Sequence, residues 1–190
     1  MMNDLPNDQI SRLGHMHINE ALSFIREIPD YPKPGIRFLD ITPLLSNPEA
    51  FNSVTMSFAK YAESGTLVAG VEARGFILAS ALAHQLKSGF IPIRKAGKLP
   101  FTTLSENYGL EYGTDTLEIH IDAVGVMDKV LIVDDVLATG GTIAAAIELV
   151  RRCGGEVVGV LALLEIGALS GRAFLKSKYP EVTISTLLVS

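Results

Sequence analysis

The chain has 190 residues, 48% of them apolar and 19% charged, enough for one compact domain with a substantial core and an ordinary composition for a globular protein. Its net charge of −5, with no long Lys/Arg run, excludes a general nucleic-acid binder, which needs a basic face. Any anion must therefore be held by a few local cations and by backbone amides. No stretch approaches the ~20 apolar residues needed to cross a bilayer. The opening MMNDLPNDQISRLGHMH lacks the basic start and apolar run of a signal peptide, so a cytoplasmic protein with no membrane or nucleic-acid partner is expected. Cys153 is the only cysteine and cannot form an internal disulfide. In RRCGGE, with Gly154 as the helix terminator, it reads as a packed residue of a last helical turn.

Residues 1–17 are polar and irregular and read as a loose tail, which leaves 18–190 as a single domain. Ile18, Leu22, Ile25 and Ile28 recur at helical spacing and predict a short first helix that stops before Pro29. Pro29 to Gly35 (PDYPKPG) is stiff and cannot be helical. Pro48 then opens a helix reaching about Glu63. TLVAGV (66–71) is a short apolar run, followed by the helical ARGFILASALAHQL, and GFIPIR (89–94) is a second strand. Lys95 to Asp115 is polar and Gly-containing, and about 20 residues without clear structure in a compact domain signal a functional loop or lid. LEIHID (117–122) alternates in polarity, as an antiparallel addition would. KVLIVDD (129–135) is a third apolar strand, with the helix TIAAAIELVRRC (142–153) after it. EVVGVLALLE (156–165), a short helix near 169–178 and VTISTLLV (182–189) complete the chain. Unbroken apolar strands alternating with helices predict an α/β fold, a mostly parallel twisted sheet flanked by helices. Ligands of such sheets sit at the carboxyl ends of the strands, here Val71 to Gly75, Arg94-Lys95, and Asp134 onward.

The most informative segment is VLIVDDVLATGGT (130–142). A buried strand ends in two carboxylates, Asp134 and Asp135, followed by a turn, Val136-Leu137-Ala138-Thr139-Gly140-Gly141, and by Thr142 at a helix start. Glycines let the backbone approach a ligand, and the free amides and dipole of a helix N-terminus suit a phosphate. The hydroxyls of Thr139 and Thr142 can add hydrogen bonds, and ionised carboxylates accept from vicinal hydroxyls. Together these describe a site for a ribose 5-phosphate. The Gly-Lys-Ser/Thr ending of a Walker A loop is missing. A phosphoacceptor receiver domain would carry its Asp pair near the amino terminus, with no glycine-threonine cradle after it.

This segment resembles the phosphoribosyl-diphosphate signature of the type I phosphoribosyltransferases. DYPKPGI with DITPLL (30–45), EARGFIL (72–78), IRKAGKLP (93–100) and LEYGTDTLEIH (110–120) narrow the resemblance to the adenine phosphoribosyltransferases, over roughly residues 20–170. The resemblance implies the type I fold, with a small base-binding hood over 18–45 and a flexible lid over 95–115. It implies purine salvage: transfer of the phosphoribosyl group of 5-phosphoribosyl 1-diphosphate to N9 of adenine, giving AMP and diphosphate. It places Ala73, Arg74 and Gly75, with Arg94, Lys95 and Lys98, at the diphosphate, and a guanidinium fork suits paired phosphate oxygens. It assigns Glu111 to proton handling at the purine, Tyr112 to lid closure, and Asp134 and Asp135 to the ribose hydroxyls. Arg74, Glu111 and the Asp pair are thus the expected catalytic residues. Magnesium would arrive with the substrate diphosphate, and no protein metal ligand is expected, since the four histidines show no ligand spacing. A homodimer is implied, because such a basic loop can be lent to a neighbour.

Arg37, Phe38 and Leu39 are the expected base-binding residues, with Phe38 the platform for the base. Here the chain departs from the family, which has an aliphatic residue before this Phe and Arg or Lys after it. Arg37 and Leu39 stand as if exchanged. Hypoxanthine or guanine thus remain alternative bases, and a non-catalytic ligand-sensing regulator of the same fold is an alternative of another class.

Overall fold

The structure, a computed structural model, describes residues 16–110 and 113–190. They fall in two compact units, 1–57 and 58–190. The hood expected over 18–45 lies inside the first unit.

In the first unit, α1 (Ile18–Leu22) is followed by β1 (Arg26–Ile28) and β2 (Phe38–Asp40). The helix predicted through Ile28 therefore ends six residues early. Its last two apolar positions were read with the wrong period: Arg26 to Ile28 pair antiparallel with Asp40 to Phe38, and Arg26 meets Asp40 at 3.4 Å. That pairing, with partners 10 to 14 residues away in sequence, outweighs local helical preference. Between the strands, Pro29 to Gly35 is non-helical as expected, closed by the Gly35 amide donating to Asp30 Oδ1 at 2.7 Å. A short helix, α2 (Thr42–Ser46), was not foreseen. Asp40 Oδ1 accepts from the Thr42 amide at 2.9 Å just ahead of it, and Pro43 stands in its first turn. α3 (Pro48–Ala59) begins at the expected proline.

The second unit is a seven-stranded sheet. Its strands are β3 (Leu67–Val71), β4 (Phe90–Lys95), β5 (Thr103–Leu110), β6 (Gly113–His120), β7 (Lys129–Leu137), β8 (Glu156–Glu165) and β9 (Thr183–Val189). The spatial order is β5-β6-β4-β3-β7-β8-β9. β4, β3, β7, β8 and β9 run parallel, and β6 joins β4 antiparallel, as the alternation of LEIHID predicted. The helices are α4 (Arg74–Leu86), α5 (Gly141–Arg152) and α6 (Gly171–Lys178). The mostly parallel, helix-flanked α/β sheet is the fold expected from the sequence.

β7 shows why the sheet needs cover on both faces. Val130 and Ile132 join the core formed with Ile143, Ala146, Ile147 and Val150 of α5. Leu131 and Val133, pointing to the other face, are equally buried. On that face α4 sits so close that a Cβ on Gly70 would lie 2.7 Å from Ala79 Cβ. α5 ends on Gly154, whose φ of +97° only glycine adopts freely. Cys153 lies half-buried in the turn before it, its Sγ 3.7 Å from the His120 carbonyl. Among the described residues no helix is long and apolar enough to cross a membrane.

The stretch expected to lack structure, Lys95 to Asp115, differs most from its reading. Only about its first third is irregular. Thr103 to Leu110 is β5, paired residue for residue with β6 from Thr103↔His120 to Leu110↔Gly113. Its polar residues concealed a strand because β5 is the sheet edge and needs few apolar side chains.

The start of α4 is pressed against the end of β7. A Cβ on Gly75 would lie 2.9 Å from Asp134 Oδ1, 3.0 Å from the Val133 carbonyl oxygen and 3.1 Å from Asp134 Cα. Gly75→Ala is expected to destabilise the protein by about 1–3 kcal/mol, the range for forced overpacking, measured as a shift in the urea unfolding midpoint at constant m-value.

Candidate active site

Three strand ends converge at the carboxyl edge of the sheet, because β3, β4 and β7 are adjacent and parallel. β3 delivers Glu72-Ala73-Arg74, β4 delivers Arg94-Lys95, and β7 delivers Asp134-Asp135 and the turn after it.

Asp134 and Asp135 are 8% and 5% exposed. Asp134 Oδ1 accepts from the Asp135 amide at 2.8 Å. Burial raises the Asp134 carboxyl well above the usual range, and the neighbouring Asp135 charge adds to this. Burial also raises Asp135, against the opposing pull of Arg74. Arg74 Nη2 stands 2.7 Å from Asp135 Oδ2. This is a charge contact without hydrogen-bond alignment, for Oδ2 has no hydrogen-bond partner among the described residues. Both carboxylates were expected to accept from ribose hydroxyls. The structure has one carboxyl turned into its own backbone and a second with one acceptor oxygen beneath an arginine.

After Asp135 come half-buried Val136, buried Leu137, half-buried Ala138 and exposed Thr139. Gly140 takes φ +86° as the N-cap of α5, and no side chain caps that helix. Its first amides are therefore left for a ligand or water. Gly141 is required by a close approach: a Cβ there would lie 3.0 Å from the Gly109 carbonyl oxygen of β5. Thr142 follows in the first turn, half-buried. The hairpin β5–β6 thus runs beside the turn that the sequence marked as a phosphate cradle.

The basic cluster is organised by a residue to which the sequence reading gave no role. The Glu72 side chain, 9% exposed, accepts from Lys98 Nζ at 2.6 Å, from Arg94 Nη2 at 3.3 Å and from the Lys95 amide at 3.0 Å. Arg94 also donates to the Lys98 carbonyl at 3.0 Å. Lys95 Nζ turns to Asp115 of β6 at 3.0 Å. Asp115 in turn accepts from the Tyr108 hydroxyl at 3.1 Å. Burial first, then the Asp115 charge, pushes that phenol up to about 12. The three cations are therefore paired with two carboxylates. The signal for Glu72 was available: it directly precedes Ala73-Arg74 at a strand end. That of Asp115 and Tyr108 required the hairpin register.

Ala73 is the N-cap of α4 and lends no side-chain bond, and the Glu72–Ala73 peptide is cis. In the first unit, Phe38 is half-buried on β2, with Tyr31 edge-on at 5.2 Å. Arg37 pairs with Glu27 at 2.8 Å, and Leu39 is opposite Glu27 in the β1–β2 register. Glu111 and Tyr112, with the tail 1–15, lie outside the described residues. At the opposite, amino-terminal end of the strands, an open cleft lined by Tyr61, Lys129, Arg151 and Glu181 contains none of the expected site residues.

Residues 44–185 match the phosphoribosyl transferase domain. The chain is 54% identical over 165 residues to the adenine phosphoribosyltransferase of Parvibaculum lavamentivorans, covering 86% of this chain and 94% of that protein. It is 58% identical over 151 residues to that of Thermobifida fusca, covering 78% and 86%. Among solved structures, the adenine phosphoribosyltransferase of Thermoanaerobacter pseudethanolicus superposes with a TM-score of 0.85 at 48% identity, over 91% of this chain and 99% of that one. The Saccharomyces cerevisiae enzyme, complexed with an imino-altritol bisphosphate and adenine, gives 0.84 at 34% identity, over 90% and 98%.

Burial alone would raise the Glu72 carboxyl, but its bonds from Lys98, Arg94 and the Lys95 amide prevail and hold it at about 2, below the ordinary 4.5. A group depressed on folding stabilises the native state fully above its unfolded pKa and loses that contribution as pH falls through its folded one. Glu72 should therefore contribute fully above about pH 4.5 and progressively less toward pH 2. The Tm of the parent minus that of Glu72→Gln should shrink over this window. A difference independent of pH would contradict the role.

Proposed function

We infer the reaction from family membership: the chain belongs to the phosphoribosyl transferase family. It is a purine-salvage transferase that joins N9 of adenine to C1 of 5-phosphoribosyl 1-diphosphate, giving AMP and diphosphate. The observation that carries this is identity above 50% to adenine phosphoribosyltransferases over most of both chains.

The transition state of this transfer carries positive charge on the ribose ring and growing negative charge on the leaving diphosphate, and a site must stabilise both. We assign the 5-phosphate to the uncapped start of α5 and the turn Ala138 to Thr142. The absence of a side-chain cap at Gly140 supports this assignment. The diphosphate falls to Arg74, Arg94, Lys95 and Lys98, with the amides around Ala73 and Gly75. Arg74 leaving Asp135 for the diphosphate would uncover Asp135 Oδ2, whose free acceptor capacity suits a ribose hydroxyl. Diphosphate binding and hydroxyl binding would then be coupled through one side chain. A charged Asp135 would also favour the cationic ring.

Phe38, with Tyr31 bracing its edge, is proposed as the base platform. Arg37 and Leu39 flank that platform, Arg37 paired with Glu27 at 2.8 Å. Glu111 as the proton-handling group and Tyr112 in lid closure rest on the resemblance. Magnesium would neutralise charge on the diphosphate. Among the described residues no cluster of three or more His, Cys, Asp or Glu is placed to hold a metal. The fitting donor is the free oxygen of Asp135, acting beside the ion's own waters and substrate oxygens. The family also carries the expectation of a cytoplasmic homodimer, in which the exposed Lys95 and Lys98 could reach a neighbouring copy.

Incubation with phosphoribosyl diphosphate, magnesium and each purine separately should give AMP from adenine far faster than IMP or GMP from the other bases. The reverse ranking would move the assignment to hypoxanthine or guanine. Asp135→Asn should lower kcat/KM on the order of a hundredfold or more, the scale of losing one organised electrostatic contact, with circular dichroism unchanged. Near-parent kinetics would remove Asp135 from the site.

A further inference from the structure

The turn Ala138–Gly140 is held from behind by the start of α6. A Cβ on Gly171 would collide with the Ala138 carbonyl oxygen and lie 2.9 Å from the Gly140 amide nitrogen and the Thr139 carbonyl carbon. Conversely, a Cβ on Gly140 would lie 3.0 Å from the Gly171 carbonyl oxygen and 3.1 Å from Leu175 Cγ. The turn can keep its shape only while α6 keeps its place.

Leu175 and Tyr179 bury the far end of α6 in the core, and its start is tied to the sheet by Arg172, next to the Gly171 contact. Its Nε donates to both Glu165 oxygens at 3.0 Å, its Nη1 to the Ile184 carbonyl at 2.7 Å and its Nη2 to Thr186 Oγ1 at 2.8 Å. Thr186 Oγ1 donates to Glu165 Oε2 at 2.9 Å, closing the network. Glu165, its side chain 9% exposed, is also the register partner of Leu137, the last β7 residue before the turn. The Ile166 amide next to it donates to the Leu137 carbonyl at 2.9 Å. The ion pair therefore ties the helix that backs the turn to β8 and β9, and the backbone of β8 is bonded in turn to the strand that enters the turn. Such a pair contributes little to net stability, because desolvation offsets its attraction, whereas it fixes geometry well through its bidentate fork.

We propose that Arg172, acting through Glu165 and Thr186, is a positioning residue for the 5-phosphate turn, so that the network sets affinity for the phosphate end of the substrate without touching it. The proposal rests on the assignment of Ala138 to Thr142 to the 5-phosphate. A turn displaced by about an ångström loses on the order of tenfold to a hundredfold in what it binds.

The test uses the full-length protein and two probes, ribose 5-phosphate and magnesium diphosphate, each titrated by calorimetry. Arg172→Met should weaken ribose 5-phosphate by roughly tenfold or more while diphosphate stays within about twofold. In turnover, KM for phosphoribosyl diphosphate should rise by a similar factor and KM for adenine should not, with Arg172→Lys restoring part of the loss. Gly171→Ala, which moves the turn directly, should show the same selective loss. Thr186→Val removes one hydroxyl and keeps the side-chain shape. It keeps the test decisive where Arg172→Met does not fold, with an expected rise of at least threefold in the ribose 5-phosphate Kd. A lowered Tm with parent-like ribose 5-phosphate affinity in these variants overturns the proposal and leaves a purely structural network. Thr142→Val separates the two levels. If it too binds ribose 5-phosphate normally, the phosphate assignment itself fails. If it loses affinity while the Arg172 and Gly171 variants do not, only the positioning role fails.

Discussion

Two adjacent carboxyl groups are buried at the end of an interior strand, and the rest of the site is arranged around that fact. Removing a carboxylate from water costs several kcal/mol unless it is paired or protonated. β7 cannot shed the burden, since it lies between β3 and β8 and its flanking residues must be apolar on both faces. The two groups meet it differently. Asp134 is driven toward its neutral form by burial and repulsion, and spends an oxygen on its own chain. Asp135 retains a cation at 2.7 Å. Successive strand residues point to opposite faces, so an arginine at the start of α4 can serve one of them directly.

The same economy of charge runs through the basic cluster. An acidic chain has few cations to place, and leaving them apart at one strand end would repel them from each other. Glu72 and Asp115 gather Arg94, Lys98 and Lys95 within a few ångströms. Glu118, the register partner of Arg94, adds a third carboxylate that accepts from the Gly97 amide at 3.0 Å. The cations are thus held together without being disordered by their own repulsion.

Much of this was legible in the sequence, for physical reasons that differ by element. β3, β7 and β8 are doubly buried, so they read as uninterrupted apolar runs, and the glycines and threonines after Asp135 carry their own backbone logic. Residues 103–110 were not legible, since an edge strand in a hairpin is specified by its partner rather than by its own hydrophobicity. Arg26 to Ile28 were misread because three residues cannot distinguish a helical from a strand period, and the pairing with Phe38 to Asp40 decides. Single residues were singled out in the sequence, but their partners were not. Arg74 and Asp135 were both singled out, but not that they face each other. Glu72 went unassigned because an anion beside an arginine looks redundant until its three donors are in place. Gly171 and Arg172 carry no motif, and their position behind the phosphate turn exists only once β8, β9 and α6 are assembled.

Each cation proposed to meet diphosphate has an internal anion. A substrate must therefore displace carboxylates, and only the surplus over those lost pairs appears as affinity. For Arg94 and Lys98 the loss is shared, because Glu72 can keep one donor while releasing another and still retains the Lys95 amide. For Arg74, on the assignment proposed above, the loss would be offset elsewhere, because its departure would expose an oxygen of Asp135 that a ribose hydroxyl can satisfy. A ligand carrying diphosphate alone would strand a buried charge, and a ligand carrying ribose alone would find its acceptor covered. On that assignment only a molecule bearing both groups, set apart as they are on a phosphorylated ribose diphosphate, would resolve the two demands together, and pairing of the proposed site residues with one another would be a source of selectivity for the whole substrate over its pieces.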